Sequence, residues 1–590
     1  MKLARQIILA TALLGSCAWA QPNLAQPEHA GSPWWKGAVF YEIYPRSFGD
    51  SNGDGVGDLN GITQHLDYLQ HLGVDAIWIS PMYPSPQVDF GYDISDYQAV
   101  DPQYGTLADF DKLLGTAHQR HIKVLLDMVL NHTSDKHPWF IASASSRDNP
   151  KADWYVWNDG VDAKAPGVTP FQKRYVHDGK VPPNNWESVF GGSAWQWVPA
   201  RHQFYYHRFY AQQPDLNWRN PAVEKAMFAS IRFWLDRGVD GFRLDAISTL
   251  FEDPRLRNDP QLPGTNDQGD PNLHSQYSDN LPEVHDVLRR MRAMVQSYPG
   301  DRVLIGETYT PNEAELDKWY GGSAQNELQL PMDTIPGFGD GATFSAAWFR
   351  KSLQASQQVV GEPLIVFDNH DNTRSIDRFG DGKHDVARAK VIAALLLTTR
   401  ASALTYYGAP IGMVTATPTR KEDVRDPQGI TGWPKNKGRD GERTPMQWTP
   451  GFQAGFSTAK VTWLPVNKDY RAVNVQSELQ QGDSLLNWYR QLIMLRKSEP
   501  ALRDGAMQFL DTSNANVLVF RRNGPEPVIV AANFSDAAQP LAADIAPGPV
   551  STLATTAPTL LRASSLKGAS LPPYGVWVFK QASAQAAAQP

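Results

Sequence analysis

The stretch Gly238-Val239-Asp240-Gly241-Phe242-Arg243-Leu244-Asp245-Ala246-Ile247 decides how this chain folds. Residues 241–244 read as a short buried strand that emerges into Asp245 and a loop. Alternate residues of a strand point the same way, so Arg243 and Asp245 face one interior. An unpaired charge there is costly, and a structural ion pair is the simplest account of an isolated Arg-x-Asp. Upstream, residues 221–237 form a helix pattern with Asn220 as N-cap and Pro221 in the first turn. A helix followed by a buried strand is half of an α/β repeat.

Working outward, the repeat continues. Strand patterns fall at 38–44, 74–79, 123–129, 302–305, 327–330, 363–367 and 403–407, and helical spacing at 62–72, 107–121, 281–298, 311–319, 343–358 and 386–399. Eight strands alternating with helices predict an α/β fold, a (β/α)8 TIM barrel. It is assigned to residues 33–131 and 210–503, the last helix being 484–496. Residues 132–209, rich in Pro, Gly, Asn and Trp, read as an inserted loop-rich subdomain, and 409–480 as a second loop-rich segment. Short alternating segments in 504–580 predict a C-terminal all-β domain of sandwich type, and 581–590 a disordered tail.

The 590 residues exceed one core. A net charge of −7 argues against nucleic-acid partners. Lys2 and Arg5, the apolar run 7–14 and Ala18-Trp19-Ala20 have the form of a signal peptide, 1–20, followed by a linker, 21–32. The expected mature protein is therefore exported, periplasmic or secreted, without a membrane span, and a monomer or homodimer. Leu14-Gly15-Ser16-Cys17 also allows a lipoprotein anchored at Cys17, the only cysteine. Cleavage after Ala20 is the favoured route and leaves no thiol for a disulfide or a metal.

In a TIM barrel the active site lies at the C-terminal ends of the strands. Those ends carry Asp127, Asn131 and His132, then Arg243 and Asp245, then Glu307, then His370 and Asp371. Several carboxylates converging on one mouth are hard to explain structurally, and paired carboxylates are what glycosidic cleavage uses. "DMVLNH" (127–132), "GFRLDAI" (241–247), "IGET" (305–308) and "FDNHD" (367–371) resemble, in order, the four signature regions of the α-amylase superfamily, glycoside hydrolase family 13. The resemblance covers about 33 to 580, and "QPDLN" (213–217) with "ERTPMQW" (442–448) is similar to its oligo-1,6-glucosidase and α-glucosidase branch.

The resemblance implies Asp245 as nucleophile, Glu307 as general acid/base and Asp371 as the third carboxylate. Arg243 would keep Asp245 ionised, and neighbouring carboxylates with partial burial would raise Glu307. It further implies His132 and His370 at the first sugar, Asp89 and Tyr92 as the clamp on the non-reducing glucose, and Phe190, Phe209 and Arg443 as pocket walls. Ala246, where Val goes with α-1,6 cleavage, implies an exo-acting, retaining α-1,4-glucosidase on small oligosaccharides. A transglucosylase or a sucrose- or α-1,6-acting member shares the motifs. An endo-amylase usually carries Met at Gln213, and a non-catalytic member would lack these carboxylates. The segment 50–58 places Asp50, Asn52, Asp54 and Asp58 at positions one, three, five and nine, as in the first part of a calcium loop. Position twelve is Gly61, so it is not an EF-hand. The resemblance implies a structural Ca²⁺ or Mg²⁺ held by these four and the Val56 carbonyl, and no organic cofactor.

Overall fold

The computed structural model describes residues 32–581 apart from 267, 511 and 512. The expected signal peptide, the linker up to 31 and the tail from 582 lie outside the described residues. Eight parallel strands close a barrel: β1 (Val39–Ile43), β2 (Ala76–Ile79), β3 (Lys123–Val129), β4 (Gly241–Asp245), β5 (Val303–Gly306), β6 (Leu330–Asp333), β7 (Leu364–Val366) and β8 (Ser402–Tyr406). Each pairs with its sequence neighbours, and β1 closes onto β8.

The two-residue period of the strands sorts their side chains. Phe40, Trp78, Leu125, Ile305, Met332, Val366 and Leu404 fill the barrel interior, while Phe242 and Leu244 belong to the larger core under the helices. Arg243 and Asp245 therefore point inward, as their spacing requires. At the start of β4 a Cβ on Gly241 would stand 2.2 Å from the Val303 carbonyl oxygen. Only glycine lets β4 and β5 approach so closely there.

The differences from the sequence reading have physical causes. The expected helix 62–72 is two helices, Leu59–Gln64 and Leu66–Leu72, parted at His65, whose Nδ1 lies 2.8 Å from the Gly61 carbonyl. The first starts early because the Asp58 carboxylate accepts from the Gly61 N–H. The sixth strand is 330–333, not 327–330. It includes Pro331, which has no N–H for the ladder, and pairs over only two positions on each side. An antiparallel hairpin, Gln261–Thr265 with Pro271–Leu273, occupies the loop after β4; its Pro- and Gly-bearing, exposed sequence carries no strand alternation.

Residues 132–209 hold a three-stranded sheet (Trp157–Asn158, Trp195–Val198, Gln203–Tyr206) around an aromatic cluster of Trp186, Trp195, Trp197, Phe204 and Tyr206. The C-terminal segment is a five-stranded antiparallel sheet with a two-stranded ribbon. Leu518, Phe520, Val530 and Val578 on one face join the main core, whereas Val519, Ile529, Trp577 and Phe579 on the other pack with Leu541 and Leu571 of the ribbon. This docking ties the C-terminal sheet to the helices of the barrel.

Candidate active site

Arg243 is the hub of the barrel mouth. Asp127 lies directly opposite it across the β3–β4 ladder, and Arg243 Nη1 donates to both Asp127 oxygens at 3.1 Å. The same nitrogen reaches Asp245 Oδ1 at 2.5 Å, and Nη2 reaches Glu307 Oε1 at 2.9 Å. The Ala246 N–H donates to Glu307 Oε2 at 2.9 Å. Ala246 adopts a left-handed conformation, φ 44° and ψ 39°, which turns the chain sharply behind Asp245 and aims that N–H at Glu307.

One cation thus serves three buried carboxyls. Burial is the largest influence on each, with Arg243 opposing it, and it pushes Asp127 to about 6, Asp245 to about 7 and Glu307 to about 7. Arg243 lowers Asp245, as expected of a neighbouring cation, but its charge is divided among three carboxyls and burial outweighs the share that Asp245 receives. For Glu307, burial contributes more than the neighbouring Asp245 and Asp371. Asp127, Asp245 and Glu307 also raise one another through their mutual repulsion, so the cluster holds protons more tightly than free carboxylates do.

Asp371 has the opposite surroundings. Burial alone would raise it, but the Arg439 and Arg443 guanidiniums hold it well below the usual carboxylate range. Arg443 Nη2 donates to Asp371 Oδ1 at 2.8 Å, and Arg439 Nη1 donates to the same oxygen at 2.9 Å. Arg439 Nη2 also donates to Asp89 Oδ1 at 2.9 Å, and its Nε to Asp426 Oδ2 at 2.9 Å. Gln213 Nε2 donates to Asp89 Oδ2 at 3.1 Å and stands 3.1 Å from His132 Nε2. Arg439 thus ties Asp89 to Asp371 in one ion-paired bridge at the barrel mouth.

The remaining expected residues converge as well. The Tyr92 and His370 rings stack with centroids 5.3 Å apart, His132 lies 5.3 Å from Phe209, and Phe209 lies 5.9 Å from Phe190. Arg439 sits over the Phe190 ring. Both His370 nitrogens already have protein partners: Nδ1 is 2.6 Å from Glu42 Oε1 and Nε2 is 2.7 Å from the Tyr92 hydroxyl. Burial raises Glu42 well above its ordinary value and holds His370 neutral. One proton arrangement satisfies the whole run. Glu42 donates to His370, His370 donates to Tyr92, and Tyr92 donates to Asp127 Oδ2 at 3.1 Å.

Glu42, Arg439 and Asp426 had no place in the sequence reading. Glu42 is one polar residue on an inward position of β1, a signal that alternation could have raised. Arg439 and Asp426 lie in the loop-rich segment 409–480, where no periodicity points anywhere.

The family model "Alpha amylase, catalytic domain" matches residues 42–505. The chain belongs to the α-amylase family. Within this family of glycoside hydrolases it is 43% identical to the "Probable alpha-glucosidase" of Rhizobium meliloti (strain 1021), covering 88% of this chain and 91% of that one. It is 39% identical to the "Oligo-1,6-glucosidase" of Parageobacillus thermoglucosidasius, covering 85% and 91%. Among solved structures it resembles the α-glucosyl transfer enzyme XgtA (41% identity, TM-score 0.81, 93% of this chain and all of that one). The trehalulose synthase MutB of Pseudomonas mesoacidophila MX-45 gives 34% identity and a TM-score of 0.81 over the same shares.

The 50–58 loop of this α-amylase-family barrel stands apart from the catalytic set. Asp50 accepts from the Asn52, Gly53 and Gly55 amides and from Ser457 Oγ; Asp54 accepts from Val56 N; Asp58 accepts from Ser51 and Gly61. Among the described residues no group of three or more His, Cys, Asp or Glu is arranged to hold a metal ion. The loop carboxylates are turned onto their own amides. No helix of the described residues is long and apolar enough to cross a membrane.

The buried ionisable groups predict a stability that falls as pH rises through about 6 to 8, because the raised carboxyls, Asp127 and Asp245 among them, outnumber the lowered histidines His132, His137 and His207. Glu307, Asp333 and Glu442, raised mainly by burial to about 7, 7 and 8, bind protons more tightly folded than unfolded. Their contribution is complete below about pH 4 and is lost as pH rises through 7 to 8. His132, His137 and His207, lowered by burial to about 3, 4 and 4, contribute above about pH 6.5 and lose that contribution as pH falls. Thermal melting between pH 4 and 9 is expected to be highest in the acidic half of that range and to fall as pH rises through about 6 to 8; a rise to pH 9 would contradict this balance.

Proposed function

We propose that the protein is an exo-acting, retaining α-glucosidase that releases glucose from the non-reducing end of short α-1,4-linked glucosides such as maltose. One observation carries the reading. Asp245 and Glu307 grip the two terminal nitrogens of Arg243, and Arg439 bridges Asp89 to Asp371 at the same barrel mouth. In this reading the bridge closes the site at one end, so that it admits one terminal sugar. Two carboxyls on one guanidinium suit the close pairing of retaining enzymes, about 5–5.5 Å, better than the roughly 6.5–9.5 Å of inverting ones.

In this reading Glu307 donates its proton to the glycosidic oxygen while Asp245 attacks the anomeric carbon. The aglycone leaves as an alcohol and the glucose remains as an ester of Asp245. Water then attacks that carbon, Glu307 takes its proton, and the Asp245 carboxylate is released. The shorter contact of Asp245 with Arg243 supports a division in which Asp245 carries the negative charge and Glu307 the proton. Asp371, held ionised by Arg439 and Arg443, accepts from sugar hydroxyls.

The relatives named as transfer enzymes favour a second reading, interception of the glucosyl ester by another sugar. Initial rates on maltose, isomaltose, sucrose and trehalose, with products identified by NMR, separate the two. Hydrolysis of maltose giving α-glucose first is expected; predominant transfer products would sink the hydrolase reading, and faster isomaltose cleavage would sink the α-1,4 assignment.

We also propose a structural Ca²⁺ or Mg²⁺ at the 50–58 loop. In support, its donors are all oxygen, as hard cations require, and Asn52 and Asp54 are exposed. Against it stands the loop's self-closure by carboxylate–amide bonds. Chelation with EDTA is expected to lower Tm by several degrees, reversed by Ca²⁺; an unchanged Tm means the loop closes without an ion. Export rests on the composition of residues 1–20, and a mature N-terminus at Gln21 would bear it out. A lipidated Cys17 would replace it with membrane anchoring.

A further inference from the structure

Glu42 is a fully buried acid at the barrel mouth that the proposed steps do not use. Its ladder neighbours are Trp78 on β2 and Tyr406 on β8, and the two-residue period that turns Phe40 into the barrel turns Glu42 inward as well. Among the described residues its one ion-pair partner is His370, and its second oxygen, Oε2, is buried without a hydrogen-bond partner. A carboxylate there would be a buried charge with no guanidinium or ammonium in contact, which is costly.

His370 is held just as firmly. Its ring is near-parallel to those of Tyr44 and Tyr92, with centroids 5.7 and 5.3 Å away, and its carbonyl accepts from Arg443 Nε at 2.8 Å. Its protons remain to be placed, and hydrogen-bond accounting places them. Asp127 accepts from Arg243 at both oxygens and from the Trp78 indole at 3.2 Å, so it acts as an acceptor towards the Tyr92 hydroxyl too. Tyr92 has one proton to give. With that proton on Asp127, the Tyr92 oxygen accepts from His370 Nε2. A neutral imidazole has one N–H, so Nδ1 is bare and the proton in its 2.6 Å contact comes from Glu42. Burial is the largest influence on both groups and disfavours a charge on either. Of the charged groups around them, Arg243, Arg439 and Arg443 oppose an imidazolium and Asp371 favours one, while Asp127 and Asp371 oppose a carboxylate at Glu42 and Arg243 favours one.

We infer that Glu42 is a positioning residue for glucoside cleavage, a protonated acid that fixes the Nε2–H form of His370 and through it aims the Tyr92 hydroxyl at Asp127. The effect on rate rests on the α-glucosidase reading; the proton arrangement rests on the geometry. An ionised Glu42 would reverse the run: Nδ1–H would point at Glu42, Tyr92 would donate to His370, and Asp127 would lose a donor. Asp127 would then draw more of Arg243, the cation it shares with Asp245 and Glu307.

The test uses the full chain with 15N-labelled histidines and two substitutions. Glu42→Leu removes the donor, and Glu42→Gln offers an amide N–H in its place; a His370→Asn spectrum assigns the His370 signals. In the native protein Nδ1 is expected at the shift of an unprotonated nitrogen and Nε2 at that of a protonated one, unchanged from about pH 5 to 8. Glu42→Leu is expected to mix the two forms and to lower kcat on maltose about ten- to a hundredfold, with KM within about threefold. Its Tm is not expected to fall, because an apolar side chain replaces a buried acid. Glu42→Gln is expected to restore the native spectrum and most of the rate. A protonated Nδ1 in the native protein overturns the inference, as does a Glu42→Leu kcat within about twofold of native or a Glu42→Gln as slow as Glu42→Leu. Should Glu42→Leu not fold, the native spectrum and Glu42→Gln decide. Should the native protein cleave no α-glucoside, the α-glucosidase reading fails by itself, and the spectra still decide the hold on His370: a native pattern in Glu42→Leu overturns it, and a mixture upholds it.

Discussion

Asp245→Asn is expected to lower kcat/KM on maltose by about four to six orders of magnitude, the loss seen when a covalent nucleophile is removed. The amide keeps the shape of the carboxyl but cannot form the ester. Its fold should survive, because Asp127 and Glu307 remain on Arg243 and the guanidinium then serves two carboxylates instead of three. Glu307, relieved of the Asp245 charge that helps to raise it, should titrate lower in the variant. The companion change, Glu307→Gln, should spare the first step for an aryl glucoside whose leaving group needs no proton, giving a burst of phenol followed by slow turnover. Retention of more than about 1% of native activity by Asp245→Asn would end the proposed mechanism.

The second large effect is expected at Arg439→Ala. The side chain is buried among Asp89, Asp371 and Asp426 and bonds all three. Its removal leaves Arg443 facing Asp371 and gives Asp89 and Asp426 no cation in contact. Leaving buried charges uncompensated costs on the order of 3–5 kcal/mol, so Tm should drop by several degrees. Asp371 should rise towards ordinary carboxylate values and the barrel mouth should loosen around it. kcat/KM is expected to fall about a hundred- to a thousandfold. Arg439→Lys should recover part of the stability and little of the activity, since one ammonium cannot span three carboxylates. A variant Arg439→Ala within fivefold of native kcat/KM would show that the bridge does not shape the site.

The barrel was legible in the sequence because its strands are short apolar runs ended by polar residues, and its helices carry an apolar stripe. The strand bearing Arg243 and Asp245 illustrates both the reach and the limit of that signal. The two-residue period placed both side chains inside, and the structure has them there. It could not show that Asp127 and Glu307 would share the same guanidinium, because that depends on which strands become neighbours. Burial, and so the rise of Asp245 to about 7, follows from that neighbourhood. The sixth strand shifted for a local reason, since Pro331 reads as a stop although the closing barrel accepts it.

The sequence by itself determined the fold class, the family and the three carboxylates, since these lie within short stretches whose order and spacing carry the information. Only the tertiary structure decided the Asp89–Arg439–Asp371 bridge and the protonation of the site. Asp89 meets Arg439 across 350 residues, and His370 meets Glu42 across 328. Both contacts join loops and strands that have no periodic relation along the chain. A charge acquires its role from the desolvated partners around it, and those partners are set by barrel closure and by the folding of the 409–480 loops over the mouth.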